Sequence, residues 1–264
     1  MKISIITPSY NQGKFVRDTF ESILQQAAGI DLEYILVDAV STDETPQLVA
    51  EYTPKFKAAG IDFKYICEPD HGQSDAINKG WRLATGDILA YLNSDDFYEP
   101  NVLARVVAYF QDHPEAQWLY GAWNLVNRAG KIYRTVRHEK YSWQQLLEFK
   151  SVGQPSCIFR RELLEKVGNL REDLHLAMDY ELTIRFAKES SPALLPFVIS
   201  NMRYYADAKS GNQTMKQMHE IYQVAIKYTK PWSLSRLRQK IYYLAGAVVI
   251  LLRLDITRRI AYWS

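Results

Sequence analysis

Ile88-Leu89-Ala90-Tyr91-Leu92-Asn93-Ser94-Asp95-Asp96 is a segment in which an uncharged apolar run ends in two adjacent carboxylates. The turn pair Gly86-Asp87 precedes the run, and this pattern predicts a buried strand. Two acids at the end of a buried strand repel each other and resist desolvation, and a hard divalent cation with oxygen ligands is the usual remedy. Asp95 and Asp96 therefore predict a Mg²⁺ or Mn²⁺ site. Two solvated acids that begin a loop are an equally good interpretation of this segment alone.

The composition is that of a globular protein and not of a disordered or disulfide-rich one. The chain has 264 residues, of which 47% are hydrophobic and 23% charged, which suits one large domain with an appendage. Its two cysteines are too few for a disulfide scaffold or a four-thiolate zinc site. The apolar run after Met1 is too short for a signal peptide and reads as a first strand. We therefore expect a cytoplasmic enzyme.

Charge is distributed unevenly along the chain. Residues 230–264 hold seven basic residues and one acid, a net charge of +6, whereas the whole chain carries +2. The remaining body is therefore mildly acidic, which argues against nucleic acid as its partner. The basic tail favours anionic partners, with a membrane surface as the leading candidate.

The tail also contains an apolar helix signal. Twelve uncharged residues run from Ile241 to Leu252, and a helix of that length reaches about 18 Å, short of the ~30 Å hydrocarbon core of a bilayer. With basic residues on both sides, residues 236–259 predict a helix that lies in the plane of a membrane surface. A helix packed on the domain, or on a second subunit in an oligomer, is the alternative.

Strand and helix patterns alternate through the first half of the chain. Besides the opening segment, strands are predicted at Lys2–Thr7, Leu32–Val37 and Phe63–Ile66, each followed by a helical pattern. This order predicts an α/β fold with a mostly parallel central sheet flanked by helices. The second half is less regular, and shorter strands are predicted there, at Trp118–Tyr120, Lys131–Val136 and Pro155–Phe159. A helix is predicted at Asp179–Ala187, and beyond about Arg203 a polar loop leads to a C-terminal helical tail.

Polar side chains close several of the predicted parallel strands, whose carboxyl ends meet at one edge of the sheet. Asp38 ends the second strand as Asp95 ends the fourth, while Thr7, Pro8 and Tyr10 stand at the end of the first. An aspartate at this edge can accept hydrogen bonds from a base or a ribose, and Tyr10 can stack on a base. An Asx turn at Asp38 and ordinary loop packing of Tyr10 remain open.

Two further acids stand at predicted helix starts. Asp75 lies in the polar segment 70–80, which leads into a helix N-terminus that favours anions. Asp179 has apolar neighbours, and such a carboxylate tends toward a raised pKa, which suits a general base. From the residues alone, a plain helix-start acid is as good an interpretation of Asp75 and a better one of Asp179.

Missing motifs narrow the chemistry. The chain has no G-x-G-x-x-G after its first strand, no G-x-x-x-x-G-K-[ST], no G-x-S-x-G and no H-E-x-x-H. A dinucleotide fold, P-loop phosphoryl transfer and the common hydrolases are therefore disfavoured. If phosphates bind to this chain, a metal must neutralise them, which again points to Asp95 and Asp96.

Five segments in order resemble family 2 glycosyltransferases of the GT-A fold. They are 7–11 (TPSYN), 37–43 (VDAVSTD), 72–87 (from GQSD to ATGD), 92–100 (LNSDD to Pro100) and 154–182 (QPS, FRR and MDYEL). The resemblance covers residues 1 to about 210. It implies a GT-A domain over 1–210, divided into a nucleotide-sugar-binding half (1–112) and an acceptor and catalytic-base half (113–210), with a helical tail over 211–264.

The resemblance also implies an activity and a set of site residues. Members transfer a sugar with inversion from a nucleotide-diphosphate donor, here a UDP-, GDP- or dTDP-sugar, to a hydroxyl of a glycan or lipid-linked acceptor. It implies a catalytic base at Asp179 and metal ligation by Asp96 and Asp95. The donor contacts that it implies are Thr7, Pro8, Tyr10, Asp38, Asp75, Lys79, Asn93 and Asp95. A role in cell-surface polysaccharide or glycolipid synthesis, peripheral on the inner face of the plasma membrane, follows as an expectation.

The chain departs from the family pattern at several positions. Val40 stands where small residues are common, Asn93 replaces the first acid of a D-x-D, and Met178 replaces an acid that often precedes the base. In the loop after Arg203, Tyr205 and Ala208 replace a His and a Ser, with Lys209-Ser210 retained. Two rival functions remain open, a nucleotidyltransferase and a catalytically degenerate nucleotide-sugar-binding subunit.

Overall fold

Parallel strands build the first half of the sheet, because a helix follows each of the first three strands and returns the chain to the same end. The computed structural model describes residues 1–205 and 213–251. The first four strands are β1 (Lys2–Ser9), β2 (Asp31–Asp38), β3 (Asp62–Cys67) and β4 (Ile88–Tyr91), and the helices between them are α1 (Gly13–Leu24), α2 (Thr45–Ala58) and α3 (Gln73–Leu83). β1 lies between β2 and β4, pairing Ser9 with Asp38 and Ile6 with Tyr91. The carboxyl ends of these strands therefore meet at one edge, as predicted.

Antiparallel pairing extends the sheet in the second half. The strands are β5 (Phe97–Tyr98), β6 (Trp118–Val126), β7 (Ile132–Val136), β8 (Cys157–Arg160) and β9 (Ala193–Arg203). The order across the sheet is β3-β2-β1-β4-β8-β6-β9-β5, with β7 paired to β6. The helices are α4 (Val102–Asp112), α5 (Trp143–Leu147), α6 (Arg161–Val167) and α7 (Met178–Glu189), and a 3₁₀ turn spans Gln154–Ser156.

The sequence did not predict β9. It runs parallel to β6 with register shifts near Ala122, and Pro196 lies inside it with an exposed side chain. A proline and a broken register remove the alternation that marks a strand in sequence. This strand matters for the site, because it ends at Arg203, which lies beside Asp95 and Asp96.

Two apolar layers cover the faces of the sheet. One contains Phe20, Tyr34 and Phe56, and the other contains Trp81 and Phe159, all at most 3% exposed. Each such side chain stabilises the fold by about 1.5–3 kcal/mol when buried. The second layer also takes in Val224 and Ala225, which belong to a C-terminal helix.

The C-terminal helices form a hairpin against this second layer. Helix α8 spans Thr214–Lys227 and α9 spans Leu234–Leu251. The rings of Tyr222 and Tyr243 stack at 4.6 Å between their centroids, and the buried Gln239 donates to the carbonyl of Leu147 at 2.9 Å. Within 1–205 and 213–251, the helices are all too short or too polar to cross a membrane.

Candidate active site

Asp38 closes β2 in a tight turn. Its side chain is fully buried, and its Oδ2 accepts from the backbone N–H of Ser41 at 2.9 Å and from the Tyr65 hydroxyl at 3.3 Å. The turn gives Val40 a φ of 58°, a left-handed conformation that is unfavourable for a β-branched residue. The structure thus places a strained residue two positions after Asp38, where the sequence departs from the family pattern. Donor binding by Asp38 stays a prediction.

The polar groups that end β1 differ in accessibility. Thr7 and Pro8 are buried within the strand, whereas Tyr10 is 61% exposed. The Tyr10 ring is therefore accessible for stacking on a nucleotide base. Thr7 and Pro8 are not accessible to a ligand and can influence binding only by shaping the end of β1.

Asp75 lies in the first turn of α3 and is nearly buried. Its Oδ2 accepts from the His71 N–H at 2.9 Å and lies 3.3 Å from Lys79 Nζ. Burial alone would raise the pKa of Asp75, but these two partners lower it, so the carboxylate is ionised. Lys79 is held in turn by Glu68 at 3.2 Å and by the Pro69 carbonyl at 2.7 Å. The segment that precedes α3 therefore fixes the positions of Asp75 and Lys79 before any ligand binds.

Asp95 and Asp96 follow β4 at the same edge as Asp38. Asp96 is 1% exposed, and its two oxygens accept from the Arg203 N–H at 2.8 Å and from Asn93 Nδ2 at 3.2 Å. Asp95 accepts from the Tyr205 hydroxyl at 3.1 Å. Burial raises the pKa of both carboxyls, and the charge of Asp95 raises that of Asp96 further. The partners around the pair therefore do not fully offset the cost of burying both carboxylates in their charged form.

Arg203 fixes the loop that carries the acid pair. Its guanidinium donates to the Asp95 carbonyl at 3.0 Å and to Asp18 at 2.6 Å, and it is almost fully buried. Neither Arg203 nor Tyr205 was assigned such a contact from sequence, because both reach the pair from more than 100 residues away. Ala208 and Lys209-Ser210 lie outside the described residues.

The acid pair meets the divalent-cation prediction in its chemistry. Asp95 and Asp96 supply the carboxylate oxygens that Mg²⁺ and Mn²⁺ prefer, and a cation would offset the burial and repulsion that raise both pKa values. In the part of the chain that the structure describes, these acids do not gather with a third Asp, Glu, His or Cys into a metal-binding group. A cation there would depend on ligand and water oxygens for its remaining positions, as Mg²⁺ commonly does.

Amides connect the acid pair to the second half of the site. Gln73 Nε2 donates to Asn93 Oδ1 at 2.7 Å, and Asn93 Nδ2 donates to Gln154 Oε1 at 3.2 Å as well as to Asp96. Gln154 also donates to the carbonyl of Tyr91 at 2.6 Å. Asn93, which replaces a family acid, thus acts as the link between Asp96 and Gln154.

Asp179 lies beyond Gln154, in the first turn of α7. Its Oδ1 accepts from the N–H of Tyr180 at 2.8 Å, and its side chain lines a small cavity together with Tyr91, Gln154 and Cys157. The Tyr91 hydroxyl is buried there, with no hydrogen-bond partner within 1–205 and 213–251. Burial raises the pKa of Tyr91, and the Asp179 and Asp96 charges raise it further. Asp96 from the first half of the chain and Asp179 from the second therefore both influence the ionisation of Tyr91.

Comparison with known proteins agrees with this geometry. The model of the family described as "Glycosyl transferase family 2" matches residues 4–168. A PGL/p-HBAD biosynthesis glycosyltransferase of Mycobacterium bovis is 30% identical over 199 residues, which are 73% of this chain and 71% of that protein. A glycosyltransferase of Haemophilus influenzae is 26% identical over 233 residues, 86% and 76% of the two chains.

Solved structures share the architecture at lower identity. TarS 1–349 of S. aureus in complex with UDP-GlcNAc has a TM-score of 0.69 at 19% identity, covering 90% of this chain and 69% of that one. A mannosyltransferase of Pyrobaculum calidifontis, in complex with GDP-Man and Mn²⁺, has a TM-score of 0.67 at 20% identity, covering 97% and 81%. These likenesses confirm the predicted fold, a GT-A sheet with helices on its faces and a helical C-terminal part.

Proposed function

This chain belongs to glycosyl transferase family 2, and from that premise we propose that it moves a sugar, with inversion, from a nucleotide-diphosphate donor to an acceptor hydroxyl. One observation carries the proposal. A polar path runs by hydrogen bonds from the strand-end acid Asp96 through Asn93 to Gln154, and Gln154 lines a small cavity together with Asp179. That arrangement allows a charged donor and a base to meet at one sugar carbon.

The donor half supplies groups for a nucleotide. Asp38, Asp75 and Asp95 would accept hydrogen bonds from the base and ribose, with Tyr10 stacking on the base and Lys79 near the phosphates. Structural neighbours hold UDP-GlcNAc and GDP-Man, which supports a nucleotide-sugar donor without deciding between the bases. A thermal-shift screen of UDP-, GDP- and dTDP-sugars with Mn²⁺ would identify the base, because a ligand that binds only the folded state raises its melting temperature.

Asp96 and Asp95 would hold a Mn²⁺ or Mg²⁺ ion. Bound there, the ion would stabilise the charge that grows on the leaving diphosphate. The protein's own contribution is to hold the two carboxylates rigidly, through the Arg203 N–H, Asn93 and Tyr205. The neighbour that contains Mn²⁺ supports this assignment.

Asp179 would act as the general base. Its carboxylate takes the proton of the acceptor hydroxyl while the hydroxyl oxygen attacks C1 of the sugar from the side opposite the diphosphate. The C1–O bond to the diphosphate breaks, and the nucleoside diphosphate leaves with that bonding pair. A positioned base contributes about 10²–10⁴-fold in rate.

The test replaces the base without removing its shape. Asp179→Asn should lower kcat about 10²–10⁴-fold and leave the dissociation constant of the nucleoside diphosphate unchanged, as measured by product assay and calorimetry. Full turnover by Asp179→Asn would refute the base. Release of pyrophosphate would favour nucleotidyl transfer, and donor binding by the wild type without any transfer would favour a degenerate binding subunit.

The outer face of α9 supports a membrane surface as a partner. Its exposed apolar residues recur at intervals of three and four, as on one side of a helix; they are Leu234, Leu237, Ile241, Leu244 and Val248, each at least 52% exposed. Trp232, at the start of this face, is 99% exposed. Residues 230–251 carry four basic side chains and no acid. Because this charge would repel a second copy and attract anionic lipid, we infer a peripheral contact with the cytoplasmic leaflet.

Vesicle flotation tests this contact. The wild type should float with vesicles that contain anionic lipid, and a Leu237→Glu/Ile241→Glu variant should remain at the bottom of the gradient. Leu83→Glu is the matched control, because Leu83 is also exposed, at 44%, but lies on α3. Unchanged flotation of the double variant would exclude this face. A dimer whose dissociation the same substitutions promote would assign it to an oligomer instead.

The cellular role follows from these two proposals together. A glycosyltransferase at the inner face of the plasma membrane meets lipid-linked or growing glycan acceptors, which supports cell-surface polysaccharide or glycolipid synthesis.

A further inference from the structure

The segment that leads into α7 is held by a different part of the chain. Ala177 precedes the helix and has no side-chain oxygen with which to cap it. Glu220 of α8 instead holds the segment just before the helix, since its carboxylate accepts from the backbone N–H groups of His175 at 3.1 Å and of Leu176 and Ala177 at 2.6 Å each. Of these donors, the Ala177 N–H is one of the free N-terminal donors of the helix, and a carboxylate near a helix N-terminus interacts favourably with the helix dipole.

A second group on α8 holds the same segment from its carbonyl side. Gln217 lies one turn before Glu220, and its Nε2 donates to the carbonyl of Leu176 at 3.1 Å. Leu176 and Ala177 are themselves buried. The backbone of residues 175–177, which ends two residues before Asp179, is therefore held through three N–H groups and one carbonyl.

Helix α8 holds α7 at another point as well. The hydroxyl of Tyr228, just after α8, donates to Glu181 at 3.0 Å, and Glu181 pairs with Arg185 on the same helix at 2.9 Å. These contacts orient the first turns of α7 relative to the C-terminal hairpin. The Glu220 contact differs from them because it acts on the backbone immediately before Asp179.

We propose that Glu220 is a positioning residue for the reaction, which fixes the 175–177 backbone so that the carboxylate of Asp179 faces the acceptor hydroxyl. The proposal rests on the base role proposed above for Asp179. It makes the C-terminal hairpin part of the catalytic half, not only an attachment to it. Loss of the contact should reduce turnover more than donor binding, because the donor groups lie on other elements.

Kinetics of Glu220→Ala and Glu220→Gln test the proposal. Glu220→Ala should lower kcat about 10–100-fold, since a displacement of about 1 Å can cost 10²-fold, with the nucleoside diphosphate dissociation constant within about twofold. Glu220→Gln keeps one acceptor oxygen and should recover part of kcat. Val224→Ala is the control for stability, because Val224 is a buried α8 residue that makes none of these polar contacts. It should lower the melting temperature while leaving kcat nearly unchanged at a temperature well below the transition.

A double variant shows whether Glu220 acts through Asp179. Residues that act as one unit have non-additive effects, so Asp179→Asn/Glu220→Ala should be no slower than Asp179→Asn alone. A further multiplicative loss in the double variant, an unchanged kcat in Glu220→Ala, or an equal loss in Val224→Ala would each overturn the positioning role while leaving the base intact. Full turnover by Asp179→Asn would instead overturn the proposed base and this inference with it.

Discussion

The two edges of the parallel sheet bury carboxylates in opposite ways. At the amino edge, Glu33 is fully buried, with Lys64 Nζ 2.6 Å from its Oε1 and the N–H of Thr85 2.7 Å from its Oε2. Burial alone would raise the pKa of Glu33, yet hydrogen bonds from Lys64, Ser4 and Thr85 lower it from 4.5 to about 2. At this edge, hydrogen bonds more than offset the cost of burying the Glu33 charge, and they connect β1, β2 and β3 to the turn that precedes β4.

At the carboxyl edge, hydrogen-bond partners do not fully offset the cost of burying the carboxylates. Burial raises the pKa of Asp95 and Asp96, although the pair has Arg203, Asn93 and Tyr205 as partners. A buried acid with satisfied partners stabilises a fold, whereas acids with raised pKa values in a cleft mark a place where a ligand supplies the missing charge. We therefore expect the amino edge to serve stability and the carboxyl edge to serve binding.

The strongest test of this contrast removes one charge from the carboxyl edge. Asp96→Asn should lower transfer about 10²–10³-fold, as loss of a group that stabilises developing charge does, and should abolish Mn²⁺-dependent binding of the nucleoside diphosphate. The free energy of unfolding should change by less than about 1 kcal/mol, because repulsion with Asp95 is relieved. Calorimetry and thermal melts measure the two effects. A large loss of stability with donor binding intact would mean that this edge is structural.

The matching change at the amino edge should do the reverse. Glu33→Gln should lower the free energy of unfolding by about 3 kcal/mol near neutral pH, because it removes a buried, fully paired charge. Donor binding and kcat should stay within about twofold at a temperature below the transition. Because the folded pKa of Glu33 is lowered, its stabilisation is present above about pH 4.5 and is lost as the pH falls toward 2.

Denaturant titrations at several pH values check the sign of this effect. The difference in unfolding free energy between wild type and Glu33→Gln should shrink steadily below pH 4.5. A difference that is independent of pH would show that the lost stability comes from packing and not from the charge.

Gln154, which lies between Asp96 and Asp179, offers a finer test of the carboxyl edge. Gln154→Met keeps the side-chain length but removes both hydrogen bonds, to Asn93 and to the Tyr91 carbonyl. We expect kcat to fall about tenfold, equivalent to about 1.4 kcal/mol. Gln117→Met is the control, since Gln117 hydrogen-bonds to Glu162 on the surface, outside the site. Equal activity of the two variants would mean that the polar path through Gln154 has no catalytic part.

Local sequence patterns were sufficient to predict the parallel half of the sheet and the place of its strand-end acids. An uncharged run followed by acids predicted β4 and the Asp95–Asp96 pair, and the parallel order of strands predicted that Asp38 lies at the same edge. Those inferences work because parallel pairing aligns strand ends, so that position along the chain determines position in space.

The second half of the chain could not be predicted to the same depth. Its strand β9 contains Pro196, and the partners that hold the site, Arg203, Glu220 and Gln154, approach from distant parts of the chain. Such contacts depend on tertiary packing, for which a sequence offers no periodic signal. The apolar neighbours of Asp179 allowed a general base, but an acid at a helix start is common, and only the family resemblance favoured the base over that interpretation.

The smallest expected effect concerns the strain beside Asp38. With a φ of 58°, Val40 is held in a conformation that glycine adopts without penalty, and its side chain is 45% exposed, so little burial would be lost on truncation. Val40→Gly should therefore raise the free energy of unfolding by about 0.5–1 kcal/mol, after the entropy that glycine adds to the unfolded chain is subtracted. Val40→Thr keeps the β-branch and should change stability by less, which separates strain from side-chain size. If Val40→Gly also weakens nucleoside diphosphate binding, the exposed side chain contacts the donor, and the strain belongs to the binding edge. If binding is unchanged while stability rises, the strain is only a consequence of the Asp38 turn, and the acids alone distinguish the carboxyl edge from the amino edge.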